Sequence, residues 1–347
     1  MHHAHPVDGP LERTMDQFSA HIERAWELVQ KVDTRGAEAS ARQALELDPH
    51  SPEAHNLLGF IAAVEGDPFE AIECYRQAIA LDDTYLEAML NAIEIYIHPL
   101  GQFDEAIRMC EQALELTDTD EETIDTLLLM FDAMLGKGDL GSARAVVTRV
   151  PDGPYENPSH GFLVGRALFE VGEFARAAPL IEEAVSLDPA HGEAWYYLGL
   201  VRDEQGHHRE ATEAFLRTRE VDLLVPPLPW SSTREMFHQV LSMSLKALSP
   251  EVRVFVEQAD VFLGDVPGIK LVVDGVDPRA LVFLDDIATP EFPGPPCGRV
   301  FVYQHNVERA SGTVDRLEAT IMEALTREIE TVFADAASHP PPPAALN

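Results

Sequence analysis

The sequence predicts a mainly α-helical chain in two parts: a helical-repeat solenoid over residues 16–225, then a small α+β domain over 234–336. Three observations carry this reading. A register of small and large residues recurs through the first two thirds of the chain. Three prolines within four residues (226, 227 and 229) then end it, and three short β-type runs follow among helical segments. The flanking pieces are a flexible N-terminus (1–15), a Pro-rich linker (226–233) and a Pro-rich tail (337–347).

The recurring register is clearest in SPEAHNLLGFIAAVEGDPFEAIECYRQAIALDD, where two amphipathic stretches flank the turn Gly66-Asp67-Pro68. Aligned on Ala71, the positions Gly59, Gly66, Tyr75, Ala78 and Leu81 correspond to Gly165, Gly172, Ile181, Ala184 and Leu187 around Ala177. They also correspond to Gly199, Gly206, Phe215 and Thr218 around Ala211. Each unit sets a small residue where two helices cross closely and a large one in the neighbouring gap. Asp48-Pro49 and Asp188-Pro189 stop the second helix, since proline cannot continue it. No such unit can bury its own apolar side, so neighbours stack into a solenoid.

This register resembles the tetratricopeptide repeat, with units at about 52–83, 86–118, 124–150, 158–189 and 192–225. A degenerate first unit ends in ALELDP, and PDGPYENP (151–158) is an inserted loop. The resemblance implies an inner surface lined by the first helix of each unit. Carried onto this chain, its partner-binding groove holds Glu53, Asn56 and Phe60, then Glu87, Leu90 and Glu94. Asp125 and Asp132 follow, then Phe162, Arg166 and Phe169, and finally Glu193, Tyr196 and Asp203. Carboxylates alternating with apolar and aromatic residues suit a basic or neutral segment with apolar anchors, an amphipathic helix or an extended peptide. Cys74 and Cys110 share one repeat position and read as small buried hydrophobes.

Past the linker, STREMFHQVLSMSLKAL predicts a capped helix and Ser249-Pro250-Glu251 opens a second. The β-type runs are ADVFLG, ALVFLDDIA and RVFVYQH, followed by a long helix over 313–336. The order of these segments resembles a family of small bacterial zincin-like metallopeptidases over residues 234–336. In that family the last helix carries His-Glu-x-x-His; aligned on the glutamate, this chain reads Arg327-Glu328-Ile329-Glu330-Thr331. Arg327 and Thr331 thus stand in place of both zinc-binding histidines. A guanidinium offers no lone pair to a cation, so the usual metal site is absent and Glu328 is vestigial. Read without the family, Val314, Leu317, Ile321, Ala324, Leu325, Ile329 and Val332 form one apolar face. Glu328 projects within it and needs a partner such as Arg299 or Arg309, or a proton. Arg327 is spaced to pair with Glu323 and Glu330.

Sixty acidic residues against 25 basic ones give a net charge of −35. Such a surface repels nucleic-acid phosphates and anionic lipid. No stretch approaches the ~20 continuous apolar residues of a membrane helix, and MHHAHPVDGP lacks the apolar core of a secretory signal. Three cysteines without metal or redox spacing point to a reducing cytoplasm. The N-terminal Met1-His2-His3-Ala4-His5 could ligate Cu²⁺ or Ni²⁺, since a free amine with a histidine at position three offers a square-planar nitrogen set, although nothing downstream completes a site. His238, His305 and Asp335 share no ligating spacing, and neither a phosphate loop nor a nucleophile elbow occurs. No cofactor and no metal are expected. The sequence therefore reads as a non-catalytic adaptor, with the repeats capturing a protein or peptide and the degenerate domain as a second docking or regulatory surface. The alternatives are a metal-dependent hydrolase with a rebuilt site and a purely structural assembly subunit.

Overall fold

The structure, a computed structural model, describes residues 10–155, 157–288 and 294–338, with side chains from 15 to 332. The N-terminal histidines, the Asp335 side chain and the proline tail lie outside the described residues. Two compact units part at Leu180/Ile181, within a helix rather than at the prolines after 225.

The first unit is a series of antiparallel helices: α1 (Pro10–Gln30), α2 (Thr34–Leu47), α3 (Pro52–Glu65), α4 (Pro68–Leu81), α5 (Leu86–Ile97), α6 (Phe103–Ala113), α7 (Asp120–Gly136), α8 (Leu140–Val147), α9 (Pro158–Glu170) and the start of α10 (Phe174–Leu187). Each start is written locally. Ser51 accepts from the Ala54 amide ahead of Pro52, and Asp67 accepts from Phe69 and Glu70 ahead of Pro68. Thr119 and Glu122 form a reciprocal capping box. These side chains satisfy amides that a helix start leaves without partners. The turns between paired helices use Gly66, Gly138 and Gly172 at φ of 81°, 80° and 83°; the left-handed conformation there is open to glycine at little cost.

Close helix crossing follows from the small–large register. A Cβ on Gly59 would lie 2.6 Å from the Tyr75 ring, and one on Gly199 would lie 2.4 Å from Phe215. Tyr75 is fully buried, and burial pushes its hydroxyl pKa upward. Cys110 is buried and Cys74 half-buried, both as free thiols.

The second unit holds the end of α10, the helix pair α11 (Gly192–Glu204) and α12 (His208–Leu224), and everything beyond. After α13 (Arg234–Ala247) and α14 (Pro250–Val256) come β1 (Asp260–Gly264), α15 (Ile269–Val273), β2 (Val282–Ile287), β3 (Cys297–Tyr303) and α16 (Gln304–Ser311). A 3₁₀ turn (Val314–Arg316) then leads into α17 (Leu317–Ser338). The sheet order is β1-β3-β2, with β3 parallel to β1 and antiparallel to β2. Val282, Leu284, Val300 and Val302 form its core face, packed with Phe237 and Leu241 of α13 and with Leu317, Ile321, Leu325 and Ile329 of α17.

Most of the apolar face expected for α17 is thus buried, with one difference: Val314 sits in the 3₁₀ turn and is exposed. The expected pairs of Arg327 with Glu323 and Glu330 are absent among the described residues; the Arg327 carbonyl accepts from Thr331 Oγ1 at 3.0 Å.

Two features were not foreseen. β3 stops at Tyr303 and α16 begins, a short helix that buries Gln304, Asn306, Glu308 and Ser311. Its Glu308 carboxylate accepts from the Ser231 hydroxyl, from the Ser232 amide at 3.1 Å and from Gln304 Nε2 at 2.9 Å. Trp230 Nε1 donates to the Gly312 carbonyl at 3.1 Å. The segment read as a linker is therefore fastened at its C-terminal end. The second feature is Asp222 near the end of α12, whose side chain is 3% exposed. Arg279 Nε lies 3.0 Å from it and Arg309 Nη1 2.9 Å. This carboxylate joins the last helix pair to the segments after β1.

Two outcomes follow. Gly59→Ala and Gly199→Ala will each lower unfolding free energy by about 1–3 kcal/mol through overpacking, despite alanine's better helix propensity; chemical denaturation measures this. Asp222→Ala will cost about 3–5 kcal/mol, because two guanidinium groups lose their buried counter-charge. Asp222→Asn should lie in between.

Candidate functional site

The expected groove residues of the first unit stand on α3, α5, α7 and α9, the first helix of each pair. Successive first helices touch, and polar side chains link them at intervals of about one repeat. Asn56, only 1% exposed, donates to Glu87 Oε1 at 3.0 Å and to the Tyr85 hydroxyl at 3.3 Å; its own carbonyl accepts from Asn91 at 3.0 Å. Two rungs further on, His160 Nε2 lies 2.8 Å from Asp125, and Arg166 Nη2 lies 3.0 Å from both oxygens of Asp132. Burial pushes the Asp132 carboxyl upward, and the Arg166 charge pulls it back only in part.

These rungs divide the expected site residues. Asn56 and Phe162 are buried and act from within the wall. Glu87, Asp125, Asp132 and Arg166 are held by their neighbours. Glu53 and Glu94 are exposed and have no hydrogen bond or ion pair among the described residues. On the same two helices stand the half-buried Phe60 and Leu90; Phe60 packs against Trp26 with centroids 5.2 Å apart. Phe169 is half-buried against Phe174, 5.3 Å away. The face thus offers two free carboxylates around an apolar strip at α3–α5 and a neutralised polar row at α7–α9. Sequence reasoning missed Tyr85, Asn91 and His160. Their spacing of roughly one repeat from Asn56 and Asp125 was the available signal.

In the second unit, Glu193 is exposed, and Asp203 lies 2.8 Å from His208 Nδ1. Tyr196 is covered by the chain's own later segment. Its hydroxyl donates to Asp277 at 2.8 Å, and the Arg279 guanidinium sits 4.7 Å from its ring centroid. An aromatic face and a cation attract in this geometry.

The face of the sheet opposite the core carries Phe262, Phe301 and Phe283 in register across all three strands. Beside it opens a cleft of about 760 Å³ lined by Lys270, Asp274, Asp277, Phe283, Asp285, Arg299, Phe301 and Glu328 among others. Neither partner expected for Glu328 reaches it. Arg299 pairs with Asp285 at 2.9 Å and Arg309 with Asp222. Burial pushes the Glu328 carboxyl upward, with the Arg327 charge opposing. His238 is exposed on α13. Among the described residues no group of three or more His, Cys, Asp or Glu side chains is arranged to hold a metal ion. No helix of the described residues is long and apolar enough to cross a membrane.

Tetratricopeptide-repeat family models match residues 52–85, 88–123 and 163–222. Over 193 residues the chain is 24% identical to Tetratricopeptide repeat protein 37 of Xenopus laevis, covering 54% of this chain and 12% of that protein. Over 98 residues it is 31% identical to the type IV pilus assembly protein PilF of Pseudomonas aeruginosa, covering 28% of this chain and 38% of that one. The chain therefore matches well under half the length of these curated relatives. A solved structure of Pseudomonas aeruginosa PilF superimposes with a TM-score of 0.52 at 19% identity, covering 60% of this chain and 93% of that one. The chain carries tetratricopeptide repeats, and its helical part shares their fold.

Because burial raises the Glu328 pKa above its ordinary value, the native state loses stability as pH rises from the unfolded-state pKa through the folded one. Glu328→Gln does not titrate. It will raise the melting temperature at pH 7, and this gain will vanish below about pH 4, where the wild-type carboxyl is protonated.

Proposed function

We propose that this protein is a non-catalytic interaction adaptor whose repeat face captures a basic or neutral protein segment through apolar anchors. One observation carries the reading: Glu53 and Glu94 stand exposed and unpaired on the same helices as half-buried Phe60 and Leu90, and the rung from Asn56 to Glu87 and Asn91 links those helices. A docked cationic side chain meets an open carboxylate, and an apolar one meets an aromatic surface already packed against Trp26. Such preorganisation lowers the ordering cost of binding. The neutralised row at α7–α9 favours the less charged end of the same segment.

The C-terminal domain enters this proposal as a second docking or regulatory surface of zincin-like ancestry. Supporting it are the helix, strand and final-helix order over 234–336 and the location of Glu328 on the wall of a cleft. Arg327 and Thr331, where the resemblance would have ligands, make it a domain without the parent chemistry.

Fluorescence titration of the full chain with basic and acidic peptide pools, at low and high salt, tests the repeat face. Basic peptides with aromatic or aliphatic anchors will bind more tightly, and salt will weaken that binding. Replacing both Glu53 and Glu94 with glutamine will reduce affinity by about fivefold, as expected for two exposed ion pairs. Phe60→Ala will reduce it as well. A preference for acidic peptides that salt does not alter would refute the proposal.

A further inference from the structure

We infer that the cleft beside Glu328 binds an organic monocation, a primary amine or guanidinium carried on an apolar or aromatic stem. The inference deepens the reading of the C-terminal domain as a docking surface and owes nothing to the repeat face.

The cleft supplies both parts of such a site. Its apolar part is the Phe301 ring, stacked on Phe262 at 5.1 Å with planes 21° apart and flanked by Phe283 at 6.1 Å. Aromatic faces in this setting accept both apolar stems and cations. Its charged part is Glu328, a half-buried carboxylate without a hydrogen bond or ion pair among the described residues. The other charges are largely committed. Asp285 and Arg299 neutralise each other, and Asp277 accepts from the Tyr196 hydroxyl and, at 2.7 Å, from the Arg279 amide. Asp274 and Glu328 remain against Lys270 alone, so the uncommitted charge of the lining is negative.

Those charges decide the sign of the ligand. An anion entering the cleft would meet Glu328 with Arg299 already engaged, and would deepen the penalty that burial imposes on that carboxylate. A cation relieves it, and Glu328 then binds as the ionised form. At about 760 Å³ the cleft suits a ligand of one ring or one long side chain, within the roughly 300–1,000 Å³ of small-molecule sites. The same group arises as a free amine or as a lysine or arginine side chain of a docked protein, and the two sources can be separated.

The test is calorimetric titration of the full chain with 2-phenylethylamine, with 3-phenylpropionate and with the blocked peptide acetyl-Gly-Arg-Phe-Gly-amide. At least one cation will bind, and the carboxylate analogue will bind at least about tenfold more weakly than it. Glu328→Gln will weaken the cation by about fivefold or more, and Phe301→Ala will weaken it independently, with melting curves confirming that both variants fold. Tighter binding of the peptide identifies a protein side chain as the natural occupant; tighter binding of the free amine identifies a small molecule. Equal affinity for amine and carboxylate, no binding of either cation at millimolar concentration, or full affinity in Glu328→Gln overturns the inference. The repeat-face titration reads a different site, so failure there and failure here are separate results.

Discussion

A pair of short antiparallel helices has two apolar sides and can cover only one of them by itself. Everything in this chain answers that constraint. Gly59 admits Tyr75 and Gly199 admits Phe215, so paired helices approach closely. The remaining apolar side is left for the next pair. In the second unit the pair α11–α12 meets the α+β domain. Its Arg279 and Arg309 enclose Asp222, and its Asp277 takes the Tyr196 hydroxyl. Tyr196, expected in the groove, is here engaged by the protein's own later chain.

The repeats were legible because their information is local and periodic. A glycine at a left-handed turn, a small residue at a crossing and a cap before a proline each declare themselves within a few residues. The three strands and the long final helix were legible for the same reason, as alternation and as a 3.6-residue stripe. The candidate groove was legible as positions and less so as chemistry. Asn56 and Glu87 look alike on paper as polar residues of a first helix, but one is a buried bracket and the other is held by it. That distinction depends on a partner about one repeat away.

The C-terminal part resisted for a related reason. RVFVYQHNVER reads as a strand running into polar surface, because a window of that length contains nothing to bury Gln304, Asn306 and Glu308. Their partners are Ser231 and Ser232, more than seventy residues earlier, and the carbonyls of Pro278 and Ala280. The proline-rich stretch likewise looks like a spacer until its serines are seen against Glu308. Asp222 offered a hint, a single acid near the end of a repeat helix. Its two arginine partners lie 57 residues away for Arg279 and farther for Arg309, and no period relates them.

The polar rungs bear on how such an array can change length. Each joins side chains on consecutive first helices, and each is chemically distinct: amide to carboxylate at α3–α5, carboxylate to imidazole and guanidinium at α7–α9. Deleting the α5–α6 pair would set Asn56 beside α7, and duplicating α9–α10 would leave the second copy's histidine and arginine facing α9 instead of the carboxylates of α7. The units share a shape but are not interchangeable parts. Their order is written into the wall, and recombination between them would preserve the fold while scrambling the surface it presents.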